Sequence, residues 1–143
     1  MTTTSSALFA PDAELAGTNL LVVDDEQDVL ELLQELLAMF GATVVVAGSA
    51  DAAFMRMQQH VPDVLISDIQ MPGGSGLELM RRIRELPPER GGLVPAIALS
   101  GVSQSGPTRD AGFDVLVTKP VRVQALVDTI RSFLHKRHGD ARA

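Results

Sequence analysis

The sequence predicts an α/β protein in which helices cover both faces of a five-stranded parallel sheet. Five short apolar runs alternate along the chain with segments whose apolar residues recur every three or four positions. Apolar runs of this length between turn residues are typical of strands buried on both faces, as in parallel sheets. Their alternation with helices predicts a doubly wound sheet, and four of the five runs end in a charged or hydroxyl side chain.

The 143 residues suffice for one domain with short flanking segments. Residues 1–17 are rich in Thr, Ser and Ala without periodicity, and we predict a flexible leader there. We expect the folded domain to span residues 18–137 and a C-terminal tail to follow at residues 138–143. No internal repeat and no second domain is visible in the sequence.

The first strand is predicted at residues 20–23, and the acidic triplet Asp24-Asp25-Glu26 closes it. Apolar residues then recur at helical spacing over 29–40, and Gly41 ends this first helix. Asp25, taken alone, could be only the N-cap of that helix. The valine-rich run 43–46 predicts the second strand.

A second helix follows, for which Ser49 is a suitable N-cap and which must end before Pro62. The apolar run 64–67 predicts the third strand, which ends at Asp68. Ser75 and Glu78 then fit a capping box at the start of a third helix. We predict that the inner side of this third helix consists of Leu77, Met80 and Ile83.

The fourth and fifth strands are predicted at residues 96–99 and 115–117 and end at Ser100 and next to Lys119. Gly106-Pro107 interrupts the segment between them, so the fourth helix is short at most. The last helix is clear, and its apolar positions are Val123, Leu126, Val127, Ile130, Phe133 and Leu134.

Composition excludes several classes of function. The chain has no cysteine, so thiol catalysis, thiolate metal sites and disulfides are impossible. Neither a membrane-spanning run nor a signal peptide is visible, and we predict a cytoplasmic protein. The net charge is −6, and all nine acids of residues 1–55 precede the first basic residue, Arg56. Basic patches with neighbouring aromatic residues are missing, so no direct binding of nucleic acid is expected.

Polar groups at the strand ends predict a shared site. The carboxyl ends of parallel strands meet at one edge of the sheet, so Asp24, Asp25, Asp68, Ser100 and Lys119 should converge there. Three carboxylates without Cys or His favour Mg²⁺, which would offset their mutual repulsion. Lysine and serine can contact phosphate oxygens. The set indicates a carboxylate nucleophile with a metal and two donors to a phosphoryl group.

The chain resembles the receiver domains of two-component response regulators, which have a flavodoxin-like (βα)5 fold. The resemblance covers about residues 18–135, and its motifs occur in the family's order on the expected elements. These motifs are Leu21-Val22-Val23-Asp24-Asp25-Glu26, Asp68-Ile69-Gln70-Met71-Pro72-Gly73, Leu99-Ser100-Gly101 and Thr118-Lys119-Pro120-Val121.

The resemblance implies a role for each site residue. Asp68 would take a phosphoryl group from a phosphohistidine, and Ser100 would contact the group once it has formed. Asp25, Asp68 and the Gln70 carbonyl would bind Mg²⁺ directly, with Asp24 acting through water. Lys119 would pair with the acids and then with the phosphoryl group, and the Lys119–Pro120 bond would be cis. The side chain of Gln70 lies at the family position that tunes self-hydrolysis.

The resemblance also implies the protein's partners and class. A sensor histidine kinase or a histidine phosphotransfer protein would be the donor, and a downstream output protein would respond. Such a bacterial phosphoprotein catalyses its own phosphotransfer and autodephosphorylation but turns over no external substrate. No output domain is recognisable, so a stand-alone regulator and a receiver from a larger protein, such as a hybrid kinase, both stay open.

Two departures from the family pattern leave an alternative open. Leu116 occupies the position where the family usually has Tyr or Phe, and the segment 100–119 is short by about one helical turn. The domain could therefore be an interaction module whose partner binding is independent of phosphorylation. An aspartyl-phosphate hydrolase is disfavoured, because those enzymes carry Asp-x-Asp and a cap insertion that this chain lacks.

Overall fold

The computed structural model describes residues 13–71, 75–101 and 105–142, and in this part five parallel strands form one sheet. The strand order is β2-β1-β3-β4-β5, which confirms the predicted doubly wound α/β fold. The sheet places β1 and β3 side by side at its centre, where ligands bind in such folds. The strands are β1 Asn19–Val23, β2 Thr43–Ala47, β3 Val64–Asp68, β4 Ala96–Ser100 and β5 Val115–Thr118.

Helices cover both faces of the sheet and enclose two apolar clusters. One cluster contains Met57 of the second helix and Leu79 of the third, and the other contains Leu37 of the first helix and Ile130 of the last. None of the helices in residues 13–71, 75–101 and 105–142 is long and apolar enough to cross a membrane. The helices are α1 Gln27–Met39, α2 Ala50–Gln59, α3 Gly76–Arg84, α4 Ser105–Ala111 and α5 Val123–Arg142.

The predicted helix starts are partly confirmed. Ser49 Oγ accepts a hydrogen bond from Ala52 N and Ser75 Oγ accepts one from Glu78 N, both at 3.1 Å, as N-cap side chains do. The interpretation of Asp25 as the N-cap of α1 is wrong. Glu26 holds that position and makes no side-chain cap, while Asp24 Oδ1 accepts a hydrogen bond from Glu26 N at 2.9 Å.

The predicted inner side of α3 is partly wrong. Leu79 is fully buried, whereas Leu77 is only half-buried, because the buried positions of a helix that begins at Gly76 fall on Gly76, Leu79, Met80 and Ile83. The spacing of 76, 79, 80 and 83 is the i, i+3, i+4, i+7 pattern of a single helix face.

The fourth helix is short, as predicted. α4 spans seven residues and ends at Ala111, and the positive φ of 115° at Gly112 suits a glycine directly after a helix. Arg84 fixes this end: its Nε and Nη2 donate to the Gly112 carbonyl at 3.0 and 2.7 Å, and its Nη1 donates to Gly92 O at 3.0 Å. The Asp114 carboxylate accepts from both Arg84 Nη2 and Ala96 N. One side chain of α3 therefore connects α4 to the beginnings of β4 and β5.

The described structure continues on both sides of residues 18–137. Residues 1–12 of the predicted leader lie outside the described residues, but Leu15 is fully buried and its N–H donates to Phe40 O at 2.8 Å. Glu14 forms an ion pair with Arg131 of α5 at 2.9 Å. At the other end α5 continues to Arg142, through most of the predicted tail.

Candidate functional site

The predicted acidic cluster forms at the carboxyl ends of the two central strands. β1 and β3 pair with Val23 opposite Ser67, so Asp24 and Asp68 are the next residues along adjacent strands. One carboxylate oxygen from each of Asp24, Asp25 and Asp68 lies within 4.8 Å of the others. Asp24 and Asp68 are buried and Asp25 is exposed, so the cluster opens to solvent on the side of Asp25.

Lys119 reaches this cluster from the neighbouring end of the sheet. Its Nζ lies 3.3 Å from Asp68 Oδ1 and 3.6 Å from Asp24 Oδ2. The backbone holds it there, because Lys119 N donates to the Ser100 carbonyl at 2.7 Å. The Lys119–Pro120 peptide bond is cis, as the resemblance implied.

Ser100 and Gln70 border the cluster. Ser100 is the last residue of β4, is almost fully buried, and lies opposite Thr118 of β5. Its strand pairs directly with β3, where Leu99 lies opposite Asp68. Gln70 is exposed two residues beyond Asp68. The role of the Gln70 carbonyl as a metal ligand stays a prediction.

Burial and charge set the electrostatics of the site. Burial raises the pKa of the Asp24 carboxyl above its ordinary value of 3.8; the hydrogen bond from Glu26 N opposes this rise, and the charge of Asp68 adds to it. For Lys119, burial lowers the pKa, but the charges of Asp68 and Asp24 outweigh burial, and the pKa is raised above 10.5. The lysine thus stays cationic and partly balances the two buried acids.

The raised pKa of Asp24 has a measurable consequence in metal-free protein. A group whose pKa is higher in the folded state contributes stability below its unfolded pKa of 3.8, and this contribution is lost as pH rises through the folded pKa. The carboxamide in the Asp24→Asn variant does not titrate, so its contribution is independent of pH. As pH rises from 3.8 through the folded pKa of Asp24, we therefore expect the free energy of unfolding of this variant to rise relative to that of wild type, as measured by urea unfolding in EDTA. A difference that does not change with pH would contradict this assignment.

The donor set fits a hard divalent cation. Asp24 Oδ2 is buried and makes no hydrogen bond to any group in the described part of the structure, and its contact with Lys119 at 3.6 Å is an ion pair beyond hydrogen-bond distance. A buried oxygen in this state is costly unless a cation balances its charge. Carboxylate oxygens without nitrogen or sulfur ligands favour Mg²⁺.

Leu116 lies at the position where the resemblance leads one to expect Tyr or Phe. It lies opposite Ala98 in the β4–β5 pair and packs, half-buried, against the apolar cluster beneath α2 and α3. The residue therefore serves as core packing at the position where an aromatic ring was expected.

Comparisons with known proteins agree with this geometry. Residues 20–131 match the sequence profile of the response regulator receiver domain. An uncharacterized 14.6 kDa protein from Leptolyngbya boryana is 38% identical over 122 residues, which cover 83% of this chain and 92% of that protein. The virulence sensor protein BvgS of Bordetella pertussis is also 38% identical over 122 residues, which cover 81% of this chain but only 10% of BvgS.

The fold is shared with solved structures as well. A putative response regulator from Chloroflexus aurantiacus superimposes with a TM-score of 0.76 at 30% sequence identity. The superposition covers 82% of this chain and 98% of that one. The similarity extends to small proteins of one domain and to a segment of a much larger sensor.

Proposed function

This chain belongs to the family of response regulator receiver domains, and we propose that Asp68 is the residue that accepts a phosphoryl group from a phosphohistidine. Membership implies a role in two-component signalling, in which receiver domains are signalling modules rather than enzymes with external substrates. The observation that carries the proposal is the convergence of Lys119 Nζ on Asp68 and Asp24, 3.3 and 3.6 Å away, beside the three-carboxylate cluster.

The proposed reaction uses each of these side chains. A carboxylate oxygen of Asp68 attacks phosphorus, an O–P bond forms, and the N–P bond of the donor's phosphohistidine breaks with its electron pair leaving on the imidazole. Lys119 and Ser100 donate hydrogen bonds to the phosphoryl oxygens, whose negative charge would otherwise be repelled by Asp24. In autodephosphorylation, water attacks the same phosphorus, the O–P bond to Asp68 breaks, and inorganic phosphate leaves, which restores the Asp68 carboxylate.

We propose Mg²⁺ as the cofactor of this reaction. Asp25, Asp68 and the Gln70 carbonyl would hold the ion directly and Asp24 through water, with Asp24 Oδ2 as the buried oxygen that most needs a cation. When bound, Mg²⁺ neutralises charge that builds up as the phosphoryl group transfers. The chain's own contribution is to hold these oxygens together before the ion arrives.

The proposed partners follow from the family. The donor is a sensor histidine kinase or a histidine phosphotransfer protein, and an output protein reads the phosphorylated state in the cytoplasm. The similarity to a segment of BvgS, a sensor protein, agrees with receivers that occur inside larger signalling chains.

The direct test is the intact mass of the protein after incubation with acetyl phosphate, with and without Mg²⁺. We expect one phosphoryl adduct to form in the presence of Mg²⁺ and none to form when EDTA is present instead, because the uncompensated carboxylates repel the donor. A folded wild-type protein that gains no adduct from this donor or from a phosphorylated phosphotransfer protein would overturn the proposal.

A second candidate function is partner binding that does not depend on phosphorylation. The seven-residue α4 and the packed Leu116 favour it, because both differ from the usual means of transmitting the phosphorylated state. The two functions separate in an NMR experiment with beryllofluoride, a phosphoryl mimic. Changes confined to amides around Asp68 would favour the second function, and changes that extend through α4 and β5 would favour a phosphorylation switch.

A further inference from the structure

The carbonyl group of the proposed acceptor is held by a hydroxyl from its own strand. Ser67 is fully buried, and its Oγ donates a hydrogen bond to Asp68 O at 2.9 Å. Side chains alternate along a strand, so Ser67 and Leu65 share the face of β3 that packs beneath α2 and α3. A polar side chain in so apolar a strand needs a buried partner, and the Asp68 carbonyl is that partner.

The first residue of α3 closes the other side of the same peptide group. A Cβ at Gly76 would collide with the carbonyl oxygen of Asp68 and would lie 3.0 Å from Ile69 Cα, so only glycine allows the helix this close. Gly76 N donates to Ile69 O at 2.8 Å, and Ile69 N donates to Leu99 O at 3.1 Å. The Asp68–Ile69 peptide group is therefore fixed by β3, β4 and α3 together.

From these contacts we propose that Ser67 is a positioning residue for the acceptor site. By holding the Asp68 carbonyl against Gly76, its hydroxyl sets the direction of the Asp68 carboxylate and of the segment that leads to Gln70. This inference rests on the proposed function, because it assigns Ser67 a role toward the Mg²⁺ that Asp68 would bind. Ser67 itself touches neither the metal nor the phosphoryl group.

The physical reason is the cost of misalignment at a metal site. Groups that hold a metal ligand in orientation contribute about 10- to 100-fold to metal affinity. Without the hydroxyl, the Asp68–Ile69 peptide group loses the one contact that is made by a side chain of β3 itself, and it can tilt. A tilt of this peptide group moves the carboxylate and the Gln70 carbonyl together, so both predicted ligands are affected.

The test compares Ser67→Thr with Ser67→Val, which have nearly the same shape and differ in the hydroxyl group. Mg²⁺ is titrated into ¹⁵N-labelled full-length protein, and the shifts of amides near Asp68 are followed by NMR. We expect Ser67→Val to require about 10-fold more Mg²⁺ for half-saturation than Ser67→Thr, which should stay close to wild type. The matched control is Thr129→Val, which removes a hydroxyl that donates to Ala125 O at 2.9 Å on α5 and should not change Mg²⁺ affinity.

Ser67→Ala serves as a second variant should the larger side chains prevent folding, and it is expected to show the same 10-fold loss relative to wild type. Equal Mg²⁺ affinity with and without the hydroxyl, in folded proteins, would overturn the inference while leaving the proposed function intact. If the wild-type protein itself neither binds Mg²⁺ nor forms a phosphoryl adduct, the proposed function fails and the inference fails with it.

Discussion

Asp68→Asn is expected to abolish the phosphoryl adduct that the wild-type protein forms with acetyl phosphate and Mg²⁺. The variant keeps the shape of the side chain, but a carboxamide is neutral and is not a nucleophile toward phosphorus, and it no longer attracts Lys119, 3.3 Å away. Because the adduct depends on a single carboxylate, the loss should be complete rather than partial. Intact mass spectrometry over a time course measures it.

A matched control separates the loss of this carboxylate from the loss of any acidic group. Asp51 pairs with Arg82 at 3.0 Å on the surface, where its side chain is 91% exposed, so Asp51→Asn changes the same atoms far from the cluster. This control should acquire the adduct at the wild-type rate. Persistence of an adduct in folded Asp68→Asn, followed by its location on another residue by peptide mapping, would show that the acceptor has been misassigned.

The strands and their order in the chain could be predicted from the sequence because both faces of this sheet are covered. Each strand is a continuous apolar run, such as Val64-Leu65-Ile66, and the first polar residue after the run marks the functional edge of the sheet. The cluster of Asp24, Asp25 and Asp68 was therefore predictable without any knowledge of side-chain positions. Cap residues such as Ser75 were equally predictable, because capping is a local interaction.

The errors concern contacts that no local pattern reveals. Asp25 and Asp24 are adjacent acids before α1, and only the turn of the chain decides that Asp24 accepts the Glu26 N–H. Leu77 was chosen over Leu79 because Leu77, Met80 and Ile83 also recur at helical spacing, and spacing alone does not decide which of two overlapping faces meets the sheet. As a charged residue, Arg84 would be expected on the surface, yet its side chain donates hydrogen bonds to the Gly92 and Gly112 carbonyls.

This chain departs most from the usual family pattern at the residues that would transmit the phosphorylated state. Leu116 packs against the apolar cluster, and a leucine has no polar group that could form a hydrogen bond with Ser100. Arg84 instead connects α3, whose first residue touches the Asp68 carbonyl, to the end of α4 and the start of β5. These contacts join the acceptor strand β3, α3 and the end of α4.

Leu15→Ala is expected to lower the free energy of unfolding by about 2–5 kcal/mol, the cost of truncating a fully buried leucine. Leu15 belongs to the apolar cluster that includes Leu37 and Ile130, and its N–H bond to Phe40 O closes the end of α1. Leu15 lies before residue 20, where the match to the family profile begins. Urea unfolding followed by circular dichroism measures the change.

The control for this prediction is Leu93→Ala, in which the same atoms are removed from a side chain that is 74% exposed. Its effect should stay within about 0.5 kcal/mol, because a surface leucine leaves no cavity. If Leu15→Ala were as mild as this control, Leu15 would not be packed in solution and the folded domain would begin near Asn19. A large loss would instead make the segment from Glu14 to Thr18 a structural part of the domain, held to α5 by the ion pair between Glu14 and Arg131.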